Sequence, residues 1–159
     1  MYTEVKFILT KELGRLAKWL RILGFDAAYF NQGNVSSLII EALRDGRIII
    51  TRNQRLPKSG GVKIVLIRGE SFKEQLQELL KGLKIPLESA SMFSRCIICN
   101  LELKGVEKEK VKNMVPAYVF ETQGHFVACP KCNRIYWPGT HWGNVEKTLE
   151  EIEKDGIHS

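Results

Sequence analysis

Arg47-Ile-Ile-Ile-Thr51 is the stretch that decides the fold. Three consecutive isoleucines leave no polar face, so a strand here is apolar on both sides and suits the interior of a parallel sheet. The flanking sequence agrees. Upstream, Asp45-Gly46 forms a turn that closes a helix expected over about Ser36 to Arg44. Further back, Asp26-Ala-Ala-Tyr-Phe30 reads as a short strand. Leu13, Leu16, Ala17, Leu20 and Leu23 recur at helical spacing until Gly24 ends the pattern, and Val5-Lys-Phe-Ile-Leu9 is a β-rich run. Downstream, Val62-Lys-Ile-Val-Leu-Ile67 is another strand. Ser71-Phe-Lys-Glu74 has the form of a capping box opening a helix whose apolar face carries Leu76, Leu79, Leu80 and Leu83. Strand and helix alternate throughout, which predicts an α/β sandwich around a mainly parallel sheet.

The second strong signal is a pair of matched motifs, Cys96-x-x-Cys99 and Cys129-x-x-Cys132, which use all four cysteines of the chain. Two such knuckles can present four thiolates to one tetrahedral zinc, each pair from a single tight turn. Disulfides or redox Cys-x-x-Cys motifs are the competing reading. The first residues lack a signal-peptide pattern, and a redox motif rarely comes as a symmetric pair. A structural zinc ribbon is therefore the expectation, with Cys96, Cys99, Cys129 and Cys132 as ligands.

A chain of 159 residues and 44% apolar composition can build one ordinary domain plus a small appendage. No apolar run approaches a membrane span, and a reducing cytoplasmic setting is expected. The formal charge of +6 is uneven: residues 1–83 hold the entire excess, and residues 84–159 balance to zero. Any face for a polyanion is expected on the first lobe.

The organisation expected is an α/β domain over residues 1–83, a Pro- and Ser-containing linker over 84–95, a ribbon over 96–142 and a charged tail over 143–159. Short strands are expected around Ala117–Glu121, His125–Ala128 and Arg134–Trp137, and a terminal helix from Asn144 to Glu153. No Ser-His-Asp arrangement, Walker loop or dinucleotide fingerprint is present.

Several local strings resemble one family. They are Leu13-Gly-Arg-Leu-Ala-Lys-Trp-Leu-Arg21 with Leu23-Gly-Phe-Asp26, then Gly46-Arg-Ile-Ile-Ile-Thr-Arg52 and Arg95-Cys-Ile-Ile-Cys-Asn100. Val115-Pro116, Cys129-Pro-Lys-Cys132 and Tyr136-Trp-Pro-Gly-Thr-His141 complete the set. Together, from about Lys6 to His141, they resemble the Mut-seven C-terminal RNase domain family. That resemblance implies a PIN-like three-layer sandwich with a zinc ribbon behind it. It also implies acidic residues at the strand ends that hold Mg²⁺ or Mn²⁺ for RNA cleavage.

At the positions where the resemblance implies those acids, this chain has Thr10 after the first strand, Val35 opening the second helix and Asn53 after the third strand. Neutral groups in all three places point to a degenerate catalytic centre, with Mg²⁺ or Mn²⁺ relevant only if a nuclease centre survives. The alternatives are a shift of register by a residue or two, or replacement by a neighbouring acid, Glu12 or Asp26 being the candidates. Glu41 and Asp45 are expected away from the strand tips.

Lys11, Arg15, Lys18 and Arg21 recur along the first helix, and Arg52 and Arg55 bracket Asn53. These six can meet phosphates, or can simply form a solvated face. The Tyr136, Trp137, His141 and Trp142 group can stack on bases but is expected to complete the ribbon's small core. The leading expectation is an RNA-binding protein whose cleavage activity is weak or lost. An active ribonuclease with a rearranged acid set is one rival, and a zinc-ribbon protein-interaction module is the other. No sequence feature sets an oligomeric state.

Overall fold

A computed structural model describes residues 5–56, 61–85, 92–137, 145 and 147–152. The chain divides into two compact units, residues 1–100 and 101–159.

The first unit is built on a four-stranded sheet in the order β2-β1-β3-β4, with β1 at Lys6–Thr10, β2 at Asp26–Phe30, β3 at Ile48–Thr51 and β4 at Ile64–Leu66. All three pairings are parallel. The expected strands are therefore present, with ends moved by one or two residues. Period-two alternation sorts the side chains into rows. Ala28, Ile8, Ile49 and Ile64 stand level across the four strands and pack against Leu38 and Ala42 of α2 (Val35–Asp45). Tyr29, Leu9, Ile50 and Val65 form the next row and so face the other side. There α1 (Gly14–Ile22) contacts β1 and β2, and α3 (Phe72–Leu83) packs beside it, with Trp19 stacked on Phe72 at 5.0 Å. The result is three layers, as expected.

Local chemistry sets the helix ends. Asn34 caps α2: its Oδ1 accepts the Ser37 N–H at 2.9 Å, and the Asn34 N–H is returned to the Ser37 hydroxyl at 3.0 Å. This box starts the helix one residue earlier than the sequence indicates. Gly46, at φ 67°, ends α2 in the left-handed conformation that glycine adopts without Cβ strain. At α3 the Ser71 hydroxyl accepts the Glu74 N–H at 3.2 Å, but the Glu74 carboxylate takes the N–H of Glu70, not the reciprocal capping bond.

The order 2-1-3-4 has a specific consequence. From β1 the chain passes through α1 to one side, then crosses back through α2 to β3 on the other side. The helices cover opposite faces, so the C-terminal ends of β1 and β3 flank a topological switch point, where open α/β sheets bind ligands.

In the second unit, β5 (Lys104–Val106), β6 (Phe126–Ala128) and β7 (Ile135–Tyr136) form an antiparallel sheet. Val111, Val115, Val119 and Phe126 are its core, with Trp137 packed on Phe126. The strand expected at Ala117–Glu121 is instead a helix, α4 (Ala117–Thr122). Tyr118, Val119 and Phe120 favour strands, but Pro116 sits at the N-cap and its carbonyl accepts the Val119 and Phe120 N–H groups at 3.0 Å each. Helical geometry then buries Val119 and leaves Tyr118 69% exposed. Residues 145 and 147–152 are helical, consistent with the expected terminal helix, while His141 and Trp142 lie outside the described residues.

Candidate functional site

The sequence-expected positions Thr10, Val35 and Asn53 converge on one cleft of about 290 Å³ at the switch point, which Lys11 and Glu12 also line. Thr10 ends β1, Asn53 lies two residues beyond β3, and Val35 is the first residue of α2. Residues 10, 35 and 53 thus meet because three crossing elements end at the same place.

Glu12 is the organising group. Its Oε1 accepts the Thr10 hydroxyl at 2.5 Å, the Arg52 N–H at 3.1 Å and the Thr51 hydroxyl at 3.4 Å. Partial burial is the largest influence on this carboxyl and pushes its pKa up. The hydrogen bonds from Thr10, Arg52 and Thr51 outweigh it together, and the net result is a pKa below the ordinary 4.5. Among the described residues lining the cleft, Glu12 is the one carboxylate. Asn53 turns its Oδ1 to the Arg55 N–H at 3.0 Å, and Val35 offers only methyl groups.

Asp26 is elsewhere. It begins β2, level with Lys6 at the opposite end of the sheet from Thr10. It accepts Arg47 Nη1 and Asn100 Nδ2 at 2.7 Å each. Burial raises its pKa most, but the bonds from Arg47 and Asn100 and the charges of Arg47 and Arg95 prevail and lower it.

The six cations divide. Lys11, Arg15, Lys18 and Arg55 are exposed. Arg52 donates Nη1 to the Gly69 carbonyl at 2.9 Å. Arg21 turns inward and is only 9% exposed, donating Nε to Ala27 O at 2.9 Å and Nη1 to the Ile97 and Ile98 carbonyls at 2.7 and 3.2 Å. Each step of three along a helix falls about 60° short of a full turn, so Arg21 lies about 120° around from Arg15.

Each cysteine pair forms a tight knuckle. Cys99 N–H donates to Cys96 Sγ, and Lys131 N–H to Cys129 Sγ, at 3.4 Å in both cases. Asn100 and Asn133, directly after the second cysteine of each pair, both have φ 62° and return their N–H to the carbonyls of Cys96 and Cys129. Neither asparagine stands out by chemistry alone. The readable signal is asparagine at a place where the chain must turn left-handed. All four sulfurs lie within 4.8 Å of one another. Zn–S bonds of about 2.3 Å in a tetrahedron put sulfurs about 3.8 Å apart, so the group fits zinc.

The chain thus combines a four-stranded parallel α/β unit, with a cleft at its switch point, and a four-cysteine group that fits zinc. The model of the Mut7-C RNAse domain matches residues 5–149, and the chain belongs to that family. No curated protein and no solved structure matches it. Among the described residues no helix is long and apolar enough to cross a membrane.

Proposed function

We propose that this protein binds single-stranded RNA across the C-terminal ends of β1 and β3 and has lost, or nearly lost, metal-dependent cleavage. The observation that carries the reading is the donor set of the cleft. Thr10, Val35 and Asn53 supply two neutral oxygen donors and an isopropyl group where the resemblance implies carboxylates. A hard divalent cation needs anionic oxygens to offset the loss of its water shell. One carboxylate, with an oxygen already engaged by two hydroxyls and an amide, is a poor match.

Binding does not need the missing acids. Family membership supports an RNA-related role, and the positive excess lies wholly within residues 1–83. Lys11 lines the cleft, and Arg52 and Arg55 follow β3. Losing three carboxylates would remove repulsion between this surface and phosphate.

The rival with an observation in its favour is a nuclease using Glu12, whose carboxyl sits at the switch point and is held ionised. One assay separates the two. Labelled single-stranded RNA should bind at low salt, with affinity falling as salt rises, and should remain intact for hours with Mg²⁺ or Mn²⁺. Divalent-dependent cleavage abolished by Glu12→Gln would establish the nuclease reading. Failure to bind RNA at low salt would favour a protein-interaction module.

A further inference from the structure

We propose that the groove between α1 and β2 is a second RNA subsite, which takes an unpaired nucleotide of the strand held at the cleft. The inference rests on the RNA-binding reading and deepens it.

The groove is open to solvent and has a volume of about 780 Å³, within the range of about 300–1,000 Å³ typical of small-molecule clefts. Its described lining contains no acid and two exposed cations, Arg15 and Lys18, while the Arg21 guanidinium beneath them is taken up by the Ala27, Ile97 and Ile98 carbonyls. Lys18 and Arg15 are exposed at its edge, and the Arg15 guanidinium is fixed 4.1 Å above the Phe72 ring. Such a lining favours an anion with an apolar, flat body, which is the chemistry of a nucleotide.

Tyr29 supplies the flat surface. It is 37% exposed, and its ring lies against the start of α1, where a Cβ on Gly14 would be 3.5–3.6 Å away. Its hydroxyl donates to the Lys11 carbonyl, which fixes the ring's tilt. Trp19, the other aromatic of the groove, is already stacked on Phe72.

Continuity with the cleft identifies the occupant. Tyr29 and Phe30 are neighbours on β2, so they point to opposite faces of the sheet. Phe30 lines the cleft and Tyr29 lines the groove. Lys11 lines the cleft, and its carbonyl accepts the Tyr29 hydroxyl. Because β2 is an edge strand, a polynucleotide leaving the cleft needs to pass only one residue to enter the groove.

The test measures affinity for a labelled single-stranded oligonucleotide of mixed sequence by fluorescence anisotropy. Tyr29→Leu keeps apolar bulk and loses the ring, and should weaken binding by about tenfold. Tyr29→Phe should bind within about twofold of the wild type. Lys18→Glu should weaken binding severalfold and lower the salt slope by about one. Lys63→Glu, before the far edge strand β4, is the control and should do less. Photocrosslinking of 4-thiouridine RNA to the unmodified protein should label a peptide carrying Tyr29 or Lys18. If the wild type binds but Tyr29→Leu and Lys18→Glu bind equally well, and crosslinks fall elsewhere, the groove is not a subsite, although the cleft reading stands. If the wild type binds no RNA, both readings fall.

Discussion

Arg21 Nη1 donates to the Ile97 carbonyl at 2.7 Å, and so a residue of α1 holds the backbone between Cys96 and Cys99 in place. The same guanidinium holds Ile98 O and Ala27 O. One buried cation thus ties the first cysteine knuckle to the start of β2. Arg21→Met should lower unfolding free energy by about 2–4 kcal/mol, since the buried Ala27 carbonyl and the part-buried Ile97 and Ile98 carbonyls lose a charged donor. Arg21→Lys should rescue little, because a single ammonium cannot reproduce the guanidinium fork. Urea denaturation of the metal-loaded protein measures both. A change under about 0.5 kcal/mol for either variant would show that the contact is not stabilising.

Asn100 and Asn133 share a left-handed backbone but differ in their side chains. Asn100 also bonds Asp26 through Nδ2 and accepts the Ala27 N–H at 3.0 Å. Asn133→Gly should therefore be tolerated, because glycine adopts φ 62° without strain. Asn100→Gly should cost about 1–3 kcal/mol from its two lost bonds. Valine at either position should accelerate metal release to a chelator, followed with a colorimetric zinc indicator. Equal behaviour of the two glycine variants would contradict the asymmetry.

Asp26 should set part of the acid stability. Its folded pKa is depressed, so its contribution is fully present above the unfolded value of about 3.9 and is lost as pH falls through the folded pKa. Asp26→Asn leaves the Arg47 guanidinium, 14% exposed, without its closest anionic partner. The variant should be less stable than the wild type by about 2–4 kcal/mol at neutral pH. That gap should narrow below about pH 4 as the wild-type carboxyl takes up its proton. Denaturation at a series of pH values measures it, and a gap that widens towards acid would reverse the sign.

One zinc per chain is expected by elemental analysis, lost in Cys99→Ser and Cys132→Ser. Chelation should lower the melting temperature substantially, since structural zinc contributes about 10 kcal/mol or more of apparent binding energy in small domains. Retention of a full equivalent by Cys99→Ser would remove that residue from the ligand set.

Most of the α/β unit is legible in the sequence because its strands and helices differ in hydrophobic period, and the Ile48-Ile-Ile-Thr51 strand allows only a buried setting. Glu12 is recognisable as a candidate acid, but its role is not, because the N–H it holds belongs to Arg52, forty residues on. Arg21 leaves the row of Arg15 and Lys18 because threefold spacing winds around a helix and does not run straight along it. Strand β5, with sequence Lys-Gly-Val, carries no alternation, and it exists because Val106 pairs with Phe126 beside a buried valine cluster. Helix α4 shows the converse, a β-prone tripeptide overruled by one proline.

The donor-set argument is reversible. Thr10→Asp, Val35→Asp and Asn53→Asp together would put three carboxylates beside Glu12 in a cleft that the fold already builds. Without metal they repel, so the triple variant should melt below the wild type. Mn²⁺ should restore that loss in the variant and leave the wild type nearly unchanged, because only a state with the anionic site gains by binding. The calorimetric shift tests the cleft independently of catalysis, and Mn²⁺-dependent cleavage of labelled RNA by the triple variant alone would complete the case. A wild-type melting temperature that rises with Mn²⁺ as much as the variant's would mean that Glu12 and its neighbours already form a working cation site.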